Sequence, residues 1–304
     1  MIFIICFSAA LAFAIGNIFQ KQGLHKVRVE TSSTFEMIRG TVLNIPWLLG
    51  IGLSVFGTLS YYYALAKWPI STVQALLSLN PSLTAILGIL ILKEFWDKKT
   101  MSGIVLVALG VVCVSLDKVD GSSQLGMAFW PVMFIFVSIV LILVLVSWFP
   151  KIAKFSQPEI KSNEQIEPRK ITKNQEYRRG EYLFSIIAGM GFGISAVFYK
   201  AVLIQMNGAE LEYSRLDLTS GIMIVFYAIS YIIGFFSSQA ALSYGRALFV
   251  VPFSAAIGSV IPIFCGIITL GEEAGPLKWS GLIIISIALF LFIPRGDFSN
   301  IHKE

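Results

Sequence analysis

The chain has 304 residues, 56% of them hydrophobic and only 13% charged, with a mean hydropathy of +0.78 and a formal net charge of +5. Soluble domains carry about 25% charged residues, and no water-facing fold of this length hides so much apolar surface, so the solvent for most of the chain is lipid. Cys6, Cys113 and Cys265 are isolated inside apolar runs, and His25 and His302 lie in polar flanks. That pattern excludes a disulfide framework and leaves almost nothing from which to build a zinc or histidine centre.

A spanning helix needs about 20 mainly apolar residues. Nine runs qualify: roughly 2–20, 45–66, 70–92, 100–116, 126–149, 182–205, 218–244, 248–271 and 277–294. The first contains Ala12-Phe13-Ala14, which looks like a signal cleavage site. No basic residue precedes Ile2, however, so the run reads as a retained spanning helix. Ser33 and Glu36 have capping-box spacing, so the second helix is expected to start near Thr34 and kink at Pro46. Asn80-Pro81 interrupts the third run near its middle. Residues 151–180 are basic and lack apolar periodicity. They read as a flexible cytoplasmic tether attracted to anionic lipid, with a regulatory docking site as the alternative. The chain thus divides into a first membrane unit (1–150, five helices), the linker (151–180), a second unit (181–295, four helices) and a cytoplasmic tail (296–304).

Charge sets the orientation. With the N-terminus outside and the C-terminus inside, 18 Lys and Arg fall on inner segments and only Lys67, Lys118, Arg215 and Lys278 on outer ones. Asp117, Asp120, Glu210, Glu212, Asp217, Glu272 and Glu273 gather outside. The positive charge therefore reflects membrane topology, and nucleic acid is not an expected partner.

The two units resemble each other in opposite orientation. FAIGNIFQKQGL (13–24) is answered by FGISAVFYKAVL (192–203), GILILKE (88–94) by GIITLGE (266–272), and Gly57-x-x-Ser60 by Gly234-x-x-Ser237. Inverted repeats are a hallmark of secondary transporters, in which the halves exchange roles as access alternates. The fold expected is an all-α polytopic membrane protein of about nine transmembrane helices in two inverted-topology repeats, N-out and C-in.

The same stretches carry a family resemblance. YYYALAKWPISTVQALLSLNPSLTAILGILILKE (61–94) and ALSYGRALFVVPFSAAIGSVIPIFCGIITLGEE (241–273) resemble the drug/metabolite transporter (DMT) superfamily of EamA type. The nine-helix layout, with KQGL after the first helix, is similar to NIPA-type magnesium transporters. The superfamily resemblance implies a carrier with a central cavity lined by helices 1, 2, 3, 6, 7 and 8. The NIPA-type pattern GEVANFAAYAFAP stands here as GTLSYYYALAKWP (57–69), so Thr58 replaces its glutamate and Tyr61 its asparagine. A hard divalent cation prefers carboxylates or several carbonyls and waters, and no Asp or Glu lies well inside any of the nine runs.

Polar side chains within spans tend to face the protein interior or a watery cavity. Lys200 is the one charge clearly inside a run. It reads either as snorkelling to headgroups or as a counter-charge or gate beside outer acids such as Glu272, whereas Lys21 reads as an inner-interface anchor. In the third run Gln74, Ser78 and Ser82 share one face, next to Asn80; Ser254, Gly258 and Pro262 share a face in the eighth. Such stripes either let helices approach closely or wall a cavity. Of Tyr61, Tyr62 and Tyr63, one is expected to line the cavity while another faces lipid. Tyr227 and Tyr231, one turn apart, offer aromatic walls, and Asn17 and Gln239 complete the set. The substrate-binding candidates are therefore Asn17, Tyr61, Tyr62, Gln74, Ser78, Asn80, Lys200, Tyr227, Tyr231, Gln239 and Ser254.

The reading is a secondary transporter of a small polar or amphipathic metabolite in the cell membrane. The alternatives are NIPA-like movement of magnesium or another divalent cation and, behind it, a non-transporting receptor or scaffold. No enzyme, cofactor or resident metal is expected, since there is no HExxH and no buried acidic pair. The partners are the bilayer, the solute, a coupling ion of unread identity (H+ or Na+) and, in one arrangement, a second copy in a homodimer. The orientation is testable with a membrane-impermeant thiol reagent on single cysteines. In intact cells a cysteine at position 122 should label and one at position 165 should not; the reverse result overturns the orientation.

Overall fold

The computed structural model describes residues 2–30, 40–41, 43–68, 70–77, 79–94, 98–117, 125–148, 167–206 and 217–292. Their helices are α1 (Ile2–Glu30), α2 (Ile45–Lys67), α3 (Ile70–Leu77), α4 (Leu79–Leu92), α5 (Lys98–Leu116), α6 (Phe129–Trp148), α7 (Glu167–Gln205), α8 (Leu218–Tyr244), α9 (Ala247–Thr269) and α10 (Pro276–Phe292). Five stretches are long and apolar enough to cross a membrane: Ile2–Leu24, α2, Gly180–Gln205, α8 and α9. Shorter apolar stretches lie in α4, α5, α6 and α10. Together they coincide with the nine expected runs, α3 and α4 sharing the third. Large apolar side chains such as Ile4, Leu59, Ile135 and Phe236 are exposed on the outside of the bundle. Contiguous apolar surface of this kind suits lipid and would be a liability in water.

Several boundaries differ from the sequence expectation. α2 begins at Ile45 instead of kinking there: Asn44 is its N-cap, accepting from the Trp47 N–H at 3.3 Å, and Pro46 sits in the first turn. A proline there removes a donor that has no intrahelical partner anyway. Ser33, Thr34 and Glu36 lie outside the described residues. Pro81 likewise falls in the first turn of α4. Residues 167–180, read as tether, form the opening turns of α7, and 151–166 lie outside the described residues.

The packing repeats as the sequence does. α1 lies along α2 and α4, and α7 lies along α8 and α9. Gly57 presses on Phe13 as Gly234 presses on Phe192: a Cβ on either glycine would sit 3.1 Å from the ring's Cδ1. α5 and α10 cross each other with Gly110 and Gly281 against each other's backbone. Gly180–Gln205 of α7 and α9 are the most deeply enclosed spanning stretches, α9 with Ala247 to Phe253 and Ile261 to Ile263 buried in sequence. In lipid, where apolar burial gains little, such close approach of small residues supplies much of the association.

That reading has a direct test. A Cβ on Gly191 would lie 2.7 Å from the Gly234 Cα, whereas one on Gly221 meets nothing within 4 Å. Gly191→Val should lower stability by about 1–3 kcal/mol through overpacking. Gly221→Ala should be neutral or stabilising by up to about 1 kcal/mol. Thermal unfolding in detergent, followed by intrinsic fluorescence, reads both.

Candidate functional site

α1, α2, the α3–α4 pair, α7, α8 and α9 surround a cavity of about 210 Å³. Thirteen polar residues line it: Asn17, Gln20, Ser54, Thr58, Tyr61, Tyr62, Asn80, Ser195, Tyr231, Ser238, Gln239, Ser254 and Ser259. Phe13, Phe192, Phe235, Leu242, Val250 and Val251 are among the apolar ones. Every spanning stretch faces its neighbours with one stripe, so polar residues about a turn apart on several helices converge on a common axis.

A chain of amides crosses the cavity wall. Trp47 Nε1 donates to Gln239 Oε1 (3.0 Å), Gln239 Nε2 donates to Gln20 Oε1 (2.6 Å), and Gln20 Nε2 donates to Ser54 Oγ (2.7 Å) and Gly50 O (3.2 Å). It ties α2, α8 and α1 together across the two repeats and fixes the glutamine orientations. Thr58 Oγ1 donates to Ser54 O at 2.8 Å and lies 3.2 Å from the Tyr231 hydroxyl. Asn80 accepts at Oδ1 from Thr84 at 3.1 Å. Among the described residues, no charged side chain lines the cavity, and no group of three or more His, Cys, Asp or Glu is placed to hold a metal ion.

Tyrosines occupy the end of the site toward Lys200. Tyr62 packs on Tyr199 (centroids 4.3 Å), Tyr227 (5.5 Å) and Tyr61 (5.2 Å), and Tyr227 reaches Tyr231 at 6.2 Å. Both Tyr61 and Tyr62 line the cavity, where one was expected, and Tyr63 is exposed beside Lys67.

Of the expected site residues, Asn17, Tyr61, Tyr62, Asn80, Tyr231, Gln239 and Ser254 are brought together. Tyr227 stands behind Tyr62 rather than on the wall. The side chain of Gln74, and Ser78 altogether, lie outside the described residues. Lys200 is a correction: it is not among the cavity-lining residues. Its Nζ donates to Leu65 O (3.1 Å) and Trp68 O (3.2 Å), the carbonyls that end α2. Lys21 does the same at the other end, donating to Leu242 O and Gly245 O where α8 stops. The two lysines are thus equivalent in role as well as position, each closing the helix end of the opposite repeat with positive charge. Gln20, Ser54 and Tyr199 were not among the candidates, and Thr58 was noted only as standing where the NIPA-type pattern has glutamate. Gln20 was the most findable, as an amide beside Lys21 at the end of an apolar run.

Residues 1–116 match the EamA-like transporter family. Fold, cavity and this match, which covers the first 116 of 304 residues, together support a polytopic membrane transporter whose first part is similar to the EamA-like family. Among curated relatives, the chain is similar to "Probable magnesium transporter NIPA9" of Arabidopsis thaliana, 24% identical over 281 residues, covering 92% of this chain and 76% of that protein. It is also similar to "Uncharacterized protein MJ1333.1" of Methanocaldococcus jannaschii, 44% identical over 65 residues. That alignment covers 21% of this chain and 47% of the relative, so the chain spans about half of it. No solved structure matches.

The paired lysine caps yield an expected result. Lys21→Gln and Lys200→Gln each weaken two charged hydrogen bonds to helix-terminal carbonyls. Each should lower stability by about 1–3 kcal/mol, seen as depressed thermal midpoints of similar size. A loss confined to one variant would contradict their equivalence.

Proposed function

We propose that the protein moves a small polar or amphipathic metabolite without net charge across the cell membrane, its two inverted repeats alternating access to the cavity. The observation that carries this reading is the lining: amides, hydroxyls and aromatic rings, with no charged side chain among the described residues. Taking an ion out of water into such a site is costly unless paired charge receives it, whereas a neutral solute can exchange water hydrogen bonds for those of Asn17, Asn80 and the serine and tyrosine hydroxyls. A cavity of about 210 Å³ has room for a small metabolite. Tyr61, Tyr62 and Tyr231 supply flat apolar faces for its hydrocarbon part.

A second reading is magnesium movement, favoured by the similarity to the Arabidopsis protein of that printed name over most of the chain. A Mg²⁺ ion that keeps its waters can pass amide and hydroxyl oxygens without a carboxylate cage.

The deciding experiment pairs thermal shift with uptake into proteoliposomes, using amino acids, nucleosides, organic anions and Mg²⁺. A bound solute at 100 times its Kd should stabilise by about 2.7 kcal/mol. A neutral solute should give both the shift and uptake, and Asn17→Ala with Asn80→Ala should reduce uptake at least tenfold while the protein stays folded. Growth rescue of a magnesium-requiring host at low external Mg²⁺, abolished by the same substitutions, would replace this reading with the second.

A further inference from the structure

The lysine caps have acidic counterparts, and these do not match. Glu94 and Glu272 follow equivalent helices, α4 and α9, after the sequences GILILKE and GIITLGE. Both chains turn through a left-handed residue, Lys93 (φ 53°) and Gly271 (φ 65°). Both acids then donate their own N–H to the glycine six residues back, Gly88 at 3.2 Å and Gly266 at 2.8 Å. Each carboxylate folds over that glycine, where a Cβ would meet Glu94 Oε2 at 3.4 Å or Glu272 Oε2 at 2.9 Å. The backbone frames are therefore the same.

The carboxylates are not used alike. Glu94 accepts from Ala247 N (2.8 Å) and Leu248 N (2.7 Å), capping the N-terminus of α9, in the opposite repeat. The register that pairs Leu65 with Leu242 pairs Ile70 and Ser71, the start of α3, with Ala247 and Leu248. Glu272 has no hydrogen bond to either: both its oxygens lack a hydrogen-bond partner, although the residue is only 5% exposed. Among the described residues it is paired with Lys278 at 3.7 Å and faces the Lys200 charge, while Lys278 Nζ donates to Glu273 O. A buried carboxylate without hydrogen-bond donors is costly, and the equivalent helix start, that of α3, lies in the same fold.

We propose that Glu94 and Glu272 are alternating latches: each caps the first turn of the opposite repeat's helix, α9 or α3, to hold its own end of the cavity closed, and its release frees that end to open. The structure holds the Glu94 latch engaged and the Glu272 latch released, with Ile70 and Val73 at the freed end still packed. The inference rests on the alternating-access reading and adds the residues that bias it. The helix dipole favours a carboxylate at a helix start, so the engaged latch favours its own state, and loss of either latch should favour the other.

Val73 and Val250, equivalent in the two repeats and buried behind α3 and α9 starts, report the two ends. Single Val73→Cys and Val250→Cys proteins, with Cys6, Cys113 and Cys265 changed to Ala, are placed in nanodiscs and reacted with a hydrophilic maleimide. Glu94→Gln should raise labelling at position 250 and lower it at 73, by about three- to tenfold. Glu272→Gln should do the opposite. Glu94→Asp and Glu272→Asp, which withdraw the carboxylate by one methylene, carry the same test with the same signs should a Gln variant fail to fold. Labelling at both positions in the parent, with both Glu variants shifting it in one direction or not at all, overturns the latches and leaves alternating access standing. Labelling at only one position, whatever stands at 94 and 272, overturns both.

Discussion

What the rest of this structure depends on is the satisfaction of helix ends that stop inside the protein. A spanning helix in hydrocarbon has no water to take its last carbonyls or first N–H groups. Here α2 gives way to α3, and α8 to α9, at the very points where the chain bends around the cavity. Lys200 takes the carbonyls of Leu65 and Trp68, and Lys21 those of Leu242 and Gly245. Because each lysine comes from the repeat opposite to the helix it ends, the bend in one half is held by the first helix of the other. The cavity keeps its shape only while the halves stay in contact.

The same logic explains why the wall is polar without being charged. The Trp47–Gln239–Gln20–Ser54 chain satisfies both amides internally and locks three helices, two from one repeat and one from the other. Asn17 and Asn80 line the same cavity outside that chain, Asn80 accepting from Thr84. A wall split in this way, part tied into the amide chain and part outside it, holds an empty cavity open without fixing what enters it. The ammonium groups that an ionic solute would need are already committed to helix ends.

Much of this was legible in sequence because membrane helices announce themselves by length and by charge. The nine runs, the paired glycine-serine motifs and the matching lysines all survive into the fold. Seven of the eleven expected site residues line one cavity, because polar residues inside apolar runs have few other places to go. The part that was not legible involves backbone partners. Nothing in LAKW or LSYG marks those carbonyls as acceptors for a lysine in the other repeat, so Lys200 read as snorkelling or as a counter-charge or gate beside Glu272, and its role as a helix cap was not seen. Pro46 read as a kink because the Asn44 cap that makes it a helix start is a single polar residue in an apolar surround. Thr58 and Ser54 looked like ordinary small residues until α8 brought Tyr231 within 3.2 Å of the threonine.

Inverted repeats of one sequence ancestry would be expected to pack with interchangeable ends, and the departures from that symmetry are informative. The left-handed turn after α9 uses Gly271, for which the conformation carries no penalty, while the turn after α4 uses Lys93, for which it costs roughly 1 kcal/mol. The strained version is the one whose glutamate is engaged by two N–H groups, so its contacts offset its backbone. The relaxed version needs no such help and carries the glutamate without hydrogen bonds. Backbone preference and side-chain engagement are thus balanced against each other at the two ends. Two nearly equal ends, each made stable by a different term, are what a protein needs if neither end is to stay closed permanently.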